Sequence, residues 1–269
     1  MIRGILSEIW VYPIKSLPGF RVPDAQVFEK GLEWDRRLML VDTNHVFITQ
    51  RVYPEMALFN ISVNGHSIQV NDRSNTETHA LIVDMTKVIG TKTIKAVVWD
   101  DEVEVMEVNP EYSSWFGRVL KMECKLVCFP EGNPRRIDPG YVKDNKQVSL
   151  ADGYPFLIIG KESLADLNQR VGLGLSMKRF RPNFVFEGGG PYEEDTWTKF
   201  RIGSVNFESV KPCSRCVLTT VDPETGLKGE EPLRTLSVYR RRNGKVYFGQ
   251  NLIALENGHI YEGDEIKLL

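Results

Sequence analysis

The first third of the chain is a succession of short runs in which apolar and polar side chains alternate, and this pattern constrains the fold most. Ile5 to Tyr12 alternates, Arg37 to Val41 forms a second run, and Leu58 to Val63 alternates again before an Asn64-Gly65 dipeptide. A period of two places successive side chains on opposite faces of a strand, and Asn-Gly is a strong hairpin signal, so Ser67 to Val70 is the expected partner. Ile82 to Met85, Ile94 to Trp99 and Val103 to Met106 continue the pattern, with Asp100-Asp101 as the turn between the last two. The expectation is a small, β-rich and barrel-like unit.

Helical signals are few. Tyr112, Trp115, Phe116, Val119 and Leu120 recur at helical spacing within Pro110 to Lys121, which predicts an amphipathic helix joining two halves with a boundary near residue 120. Ser163 to Val171 reads as a second helix with Ser163 as its N-cap. Asn183 to Phe186 reads as a strand that stops at Gly188-Gly189-Gly190-Pro191, and the remainder as short strands. Strands separated by turns do not build a doubly wound parallel sheet. The fold class expected is α+β, predominantly β, with a domain over residues 1–120 and another over 121–269.

The 34 basic and 36 acidic residues leave a formal charge of −2, so no global field draws in nucleic acid or an anionic membrane. No apolar run approaches the ~18 residues of a membrane span, and no basic segment followed by an apolar one opens the chain, so no membrane span and a cytoplasmic location are expected. Four cysteines in 269 residues are too sparse for a disulfide scaffold.

Half of those cysteines lie in Cys213-Ser214-Arg215-Cys216, which runs into Val217 to Val221, a segment that reads as a strand, and then Asp222-Pro223. A thiolate beside a fixed cation is a candidate soft-metal ligand or reactive sulfur. Cys124 and Cys128 would complete a four-thiolate zinc site, but they alternate on an apparent strand and suit a core equally well. A thioredoxin-like motif should open a helix, which a β-branched continuation does not favour. His45, His66, His79 and His259 show no metal-ligand spacing, and the chain lacks GxSxG, a P-loop and a strand-to-helix GxGxxG. Lys15-Ser16 follows Tyr12-Pro13-Ile14 at a strand end, Asp35-Arg36-Arg37 precedes a strand, and Arg179 to Asn183 precedes another. Each alone is a surface charge; together with Arg215 they would form an anion-binding floor beside a thiolate.

In this order, Tyr12-Pro13-Ile14-Lys15-Ser16, Asp35-Arg36, Ser163 to Asn168, Arg181-Pro182-Asn183, the cysteine segment with Thr220-Val221-Asp222-Pro223, and Phe248-Gly249-Gln250 resemble the MOSC family. More narrowly they resemble the amidoxime-reducing group and its bacterial relatives, over essentially the whole chain. The resemblance implies a barrel-like MOSC domain behind a smaller, β-rich MOSC N-terminal domain, with residues 1–40 also contributing to the site. It implies a molybdenum cofactor (molybdopterin, Mo), with Cys216 as metal ligand and catalytic residue and with Lys15, Ser16, Arg36, Arg181, Asn183, Ser214 and Arg215 as cofactor contacts. A dianionic phosphate suits guanidinium partners, and a polar pterin suits hydroxyl and amide groups placed by strands.

The activity implied is two-electron reduction of N-hydroxylated small molecules such as amidoximes and hydroxylamines. The alternative is a carrier of the cofactor or of sulfur that uses the same Cys216. The chain has no cysteine cluster of iron-sulfur spacing and no haem motif, so a reductase needs a separate flavin, haem or ferredoxin-type donor. Arg135, Arg136 and Arg240 to Arg242 are candidate docking cations for it, each more simply a solvated charge. One departure from the family lies at Asp152-Gly153-Tyr154-Pro155-Phe156, where relatives carry small hydroxyl residues before Pro-Phe; that side-chain contact is not carried over.

Overall fold

A computed structural model describes residues 2–88 and 92–269. Its largest sheet is a barrel of seven strands. Starting from Phe156–Gly160, the order runs through Phe184–Glu187, Ile2–Val11, Glu265–Leu268, Lys199–Ile202, Val205–Ser214 and Lys245–Ala254. Lys245–Ala254 then pairs back onto the first strand, with Phe156 opposite Leu252 and Ile158 opposite Gln250, which closes the barrel and removes its edges. The N-terminal strand is thus part of the wall, antiparallel to Phe184–Glu187 with Ile9 opposite Phe184.

The inward residues are bulky and apolar, so the barrel interior is a packed core and not a channel. Phe156 and Phe184 stack at 5.5 Å between ring centres, and Phe207 meets both edge-on at 5.5 and 5.3 Å. Leu6, Ile9, Ile202 and Leu252 are completely buried around them. Truncating one of these rings to alanine costs about 3–5 kcal/mol, because the cavity left behind adds to the lost burial. A ligand site therefore cannot lie inside the barrel.

Apart from the N-terminal strand, the alternating runs of the first third form two further sheets. Leu38–Val41, Lys125–Cys128, Asp101–Glu107 and Thr93–Val98 lie in that order in one, and Phe59–Asn64, Ser67–Asp72 and Leu81–Asp84 in the other. The expected hairpin is present with Asn64 opposite Ser67, and Gly65 adopts the left-handed φ of +57° that its tight turn requires. The helix expected from Pro110 to Lys121 is α1, Pro110–Leu120, with Asn109 as N-cap. It lays Trp115, Phe116 and Leu120 on a core with Phe59, Ile61, Leu38 and Leu126.

Two local expectations are corrected. Helix α2 spans Lys161–Val171 with Gly160 as N-cap, so Ser163 is already inside the first turn. Its hydroxyl donates to the buried Glu194 carboxylate and accepts from the Tyr192 N–H, which is a tertiary duty in place of capping. Val217 to Val221 is not a strand: Val217–Thr220 is a 3-10 turn that Cys216 opens, stabilised by Thr219 N–H and hydroxyl bonds to the Cys216 carbonyl. The β-branched residues read as strand, but the Thr219 and Thr220 hydroxyls bond back to main-chain carbonyls and stabilise the turn instead.

Candidate functional site

At the rim of the barrel, where its strands meet the N-terminal sheets, lies a cavity of about 300 Å³. All eight residues singled out from the sequence line it: Lys15, Ser16 and Arg36 from the first forty residues, Arg181 and Asn183 before a barrel strand, and Ser214, Arg215 and Cys216 at the end of another. Three of them, Ser16, Arg36 and Arg181, hold left-handed φ values of 70°, 50° and 55°. Non-glycine residues pay about 1–3 kcal/mol for such backbone, and it persists where surrounding structure over-determines it, typically at functional sites.

The guanidiniums are fixed by main-chain carbonyls. Arg36 donates through Nη1 to Asp35 (2.6 Å) and to the Asn183 side-chain oxygen (3.1 Å), and through Nη2 to the Arg181 carbonyl (3.2 Å). Arg181 donates to the Leu17 carbonyl at 2.6 Å. The Tyr12 ring lies between the two cations, 4.4 Å from the Arg36 and 4.5 Å from the Arg181 guanidinium carbon, and its hydroxyl donates to the Pro182 carbonyl. Burial, reinforced by the Arg36 charge, pushes the Arg181 pKa down to about 10. Arg215 donates through Nε to the Phe248 carbonyl (2.9 Å) and through Nη1 to the Phe180 carbonyl (3.2 Å), while its buried Nη2 has no partner among the described residues. The next residue, Gly249, has φ of +80°, and a Cβ there would stand 2.8 Å from the Ile158 carbonyl oxygen, so only glycine lets the Phe248 segment pass.

Lys15 is buried, and its Nζ donates to the Leu150 carbonyl (2.8 Å) and to Asp152. Burial lowers its pKa to about 8, with the Asp152 carboxylate opposing. Packing against the cavity wall favours the neutral form of Asp152, whose side chain stays 56% exposed, yet Lys15 and Arg51 hold its carboxyl well below the usual range.

Arg51 carried no sequence signal, being a lone cation in a turn. Its Nε donates to the Cys216 sulfur at 3.0 Å, its Nη2 pairs with Asp152 at 2.8 Å, and its guanidinium stacks 4.4 Å from the Trp99 ring centre. Trp99, Asp152, Tyr154 and Lys211 also escaped the sequence reading as site groups.

The two cysteines of the motif differ. Cys216 meets a guanidinium, whereas Cys213 packs in a cluster with Ile159, Phe180 and Phe248, and burial pushes its thiol pKa up. Cys124 and Cys128 belong to the N-terminal core. Among the described residues no group of three or more His, Cys, Asp and Glu suits a bare metal ion, so the four-thiolate zinc arrangement is not formed. The docking cations also divide: Arg135 is buried against the Ser149 and Ala151 carbonyls and Arg240 against Asp195, while Arg136, Arg241 and Arg242 are exposed. No helix among the described residues is long and apolar enough to cross a membrane.

A closed barrel whose rim presents a thiol among converging cations, joined to a β-rich N-terminal unit, is the arrangement of a MOSC-type protein. The family model for the MOSC domain matches residues 145–267, and that for the MOSC N-terminal beta barrel domain matches residues 3–123. Mitochondrial amidoxime-reducing component 1 of Mus musculus is 34% identical over 99% of this chain and 82% of its own length, and that of Homo sapiens is 34% identical over 99% and 83%. The molybdenum cofactor sulfurase of Oryza sativa subsp. japonica is 29% identical over 96% of this chain but only 33% of itself. A solved structure, the YUAD protein of Bacillus subtilis, covers 98% of the chain and is itself covered to 93%, at 10% identity and a TM-score of 0.44. The chain belongs to the MOSC family, in the group that carries the MOSC N-terminal barrel and includes the amidoxime-reducing components.

Proposed function

We propose that this chain binds a molybdenum cofactor in the rim cavity and reduces N-hydroxylated small molecules such as amidoximes and hydroxylamines. The observation that carries the reading is the convergence, in one cavity, of a soft sulfur donor with guanidiniums that have no carboxylate partner. The residues fit such a group. Cys216 is a thiol held at 3.0 Å by a fixed cation, suited to a soft metal as thiolate. Arg181 and the unpartnered Nη2 of Arg215 suit the cofactor's phosphate, and Lys15, Ser16, Asn183 and Ser214 suit its polar pterin. When bound, the cofactor would supply two-electron reduction of an N–O bond, which consumes two protons and releases water.

The chain's own residues bind, orient and supply charge. Arg51 ties Cys216 to Asp152 and Trp99 and so fixes the sulfur from the N-terminal side. Lys15 carries its proton at Nζ below a pH of about 8, beside Asp152. A separate flavin, haem or ferredoxin-type protein delivers the electrons. The likeness to a molybdenum cofactor sulfurase favours a second reading, in which Cys216 holds the cofactor or sulfur for transfer. Reduction of benzamidoxime by molybdenum-loaded protein with an artificial electron donor tests the first reading. Turnover that needs Cys216 supports it; loaded protein without turnover leaves the carrier.

A further inference from the structure

Not every cation of the cavity has an ion-pair partner. Seven cations line it, Lys15, Arg36, Arg51, Arg179, Arg181, Lys211 and Arg215, against one carboxylate, Asp152. Asp152 serves Lys15 and Arg51, Asp35 serves Arg36, and Asp222 serves Arg179. Three cations have no ion-pair partner among the described residues: Arg181, Arg215 and Lys211. A phosphate dianion matches the two guanidiniums and leaves Lys211.

Lys211 is held differently from every other cation of the cavity. Its Nζ lies 3.6 Å from the centre of the Tyr141 ring and 5.0 Å from that of Tyr154, with no carboxylate or carbonyl in contact among the described residues. Ring faces orient an ammonium without neutralising it. The Tyr154 hydroxyl is buried and unpartnered, so it brings no charge either. The strand that carries Lys211 shifts register between Ser209 and Lys211 and again between Pro212 and Ser214, and such bulges re-aim side chains beside active sites. Lys211 lines the cavity, and Tyr141, on which its ammonium rests, is 55% exposed, which puts this group at the solvent side, the mouth.

We propose that Lys211, seated on Tyr141 and Tyr154, is a second anion subsite that selects N-hydroxylated substrates bearing a carboxylate. The proposal rests on the reductase reading for its substrate class. The subsite itself is a statement about anion binding and is tested without turnover.

The test uses the molybdenum-loaded protein and two probes with the same reacting group, benzamidoxime and 4-carboxybenzamidoxime. Calorimetry without electron donor gives the ratio of their Kd values, and turnover with an artificial donor gives the ratio of their kcat/KM values. A charge-assisted contact is worth enough to favour the carboxylate at least about tenfold. Lys211→Met should bring both ratios to about one, and Lys211→Arg should keep most of the preference. Ratios within each variant are insensitive to loss of active protein. Wild-type ratios near one, or a preference that survives Lys211→Met, overturn the subsite. Loss of molybdenum and pterin from Lys211→Met to the extent seen in Arg215→Ala also overturns it, because the anion is then the cofactor's own. A binding preference that vanishes in Lys211→Met in protein that turns over neither probe upholds the subsite and refutes the reductase reading instead.

Discussion

The inner wall of the cavity and its mouth hold cations in opposite ways. On the inner wall Arg36, Arg181 and Arg215 are tied to the carbonyls of Arg181, Leu17, Phe248 and Phe180, on backbone that in two of the three is left-handed. At the mouth Lys211 rests on two rings with no hydrogen bond among the described residues. A guanidinium locked before its ligand arrives loses little entropy on binding and dictates geometry, which suits a cofactor that must not leave. An ammonium on a flexible stem accepts anions of several shapes, which suits substrates that come and go.

If that contrast holds, breaking the inner wall should cost cofactor. Arg215→Ala, which removes two carbonyl bonds and the unpartnered Nη2, is expected to weaken cofactor retention about 100-fold, read as molybdenum and pterin content after gel filtration. Arg181→Ala should behave alike. Retention equal to wild type in both would move the phosphate elsewhere.

Arg51→Gln probes the border between the two regions. The variant loses the guanidinium at the Cys216 sulfur and one of the partners of Asp152, and an effect of about tenfold on cofactor retention is expected, with a shifted Mo(V) resonance. An unshifted resonance would mean that Arg51 does not touch the sulfur in the loaded protein.

Lys15 sharpens the comparison through pH. Its folded-state pKa of about 8 lies below the ordinary 10.5, so between those values the folded protein binds fewer protons than the unfolded chain and its stability rises with pH. Anion binding runs the other way, since Nζ is positive below pH 8 and neutral above. Cofactor-free protein should therefore bind inorganic phosphate more weakly, by about threefold to tenfold, as pH passes from 7 to 9. In Lys15→Met most of that change should be absent; an undiminished dependence would assign it to another group.

The smallest effect is expected at Cys213. Cys213→Ala removes one half-buried sulfur from the cluster with Phe180 and Phe248, at about 1 kcal/mol by thermal unfolding, with molybdenum retained. Loss of metal from this variant would show that both sulfurs matter.

How much of this was legible follows the same division. Alternation and the Asn64-Gly65 turn are local signals, and they foretold the strands and hairpin of the N-terminal unit. The inner wall was legible because its residues stand in short motifs, Lys15-Ser16, Arg181-Pro182-Asn183 and Ser214-Arg215-Cys216, whose joint order marks the family. The barrel was legible only through the family resemblance, since its closure depends on Lys245–Ala254 returning to Phe156–Gly160 across some ninety residues, which no local pattern announces. Arg51, Trp99 and Lys211 were invisible for a related reason: each acts through a partner more than fifty residues away, Cys216, Asp152 or Tyr154, and no local pattern announces such a pair. The 3-10 turn after Cys216 was misread because side-chain to main-chain bonds of Thr219 and Thr220 override their strand propensity.

The central claim is that the rim cavity holds a molybdenum cofactor through Cys216. Its most direct test is the molybdenum and pterin stoichiometry of the chain purified from molybdenum-replete cells, wild type beside Cys216→Ala. The account predicts close to one equivalent of each in the wild type and loss of the metal in the variant. Less than about a tenth of an equivalent in the wild type, or full metal in Cys216→Ala, would contradict it.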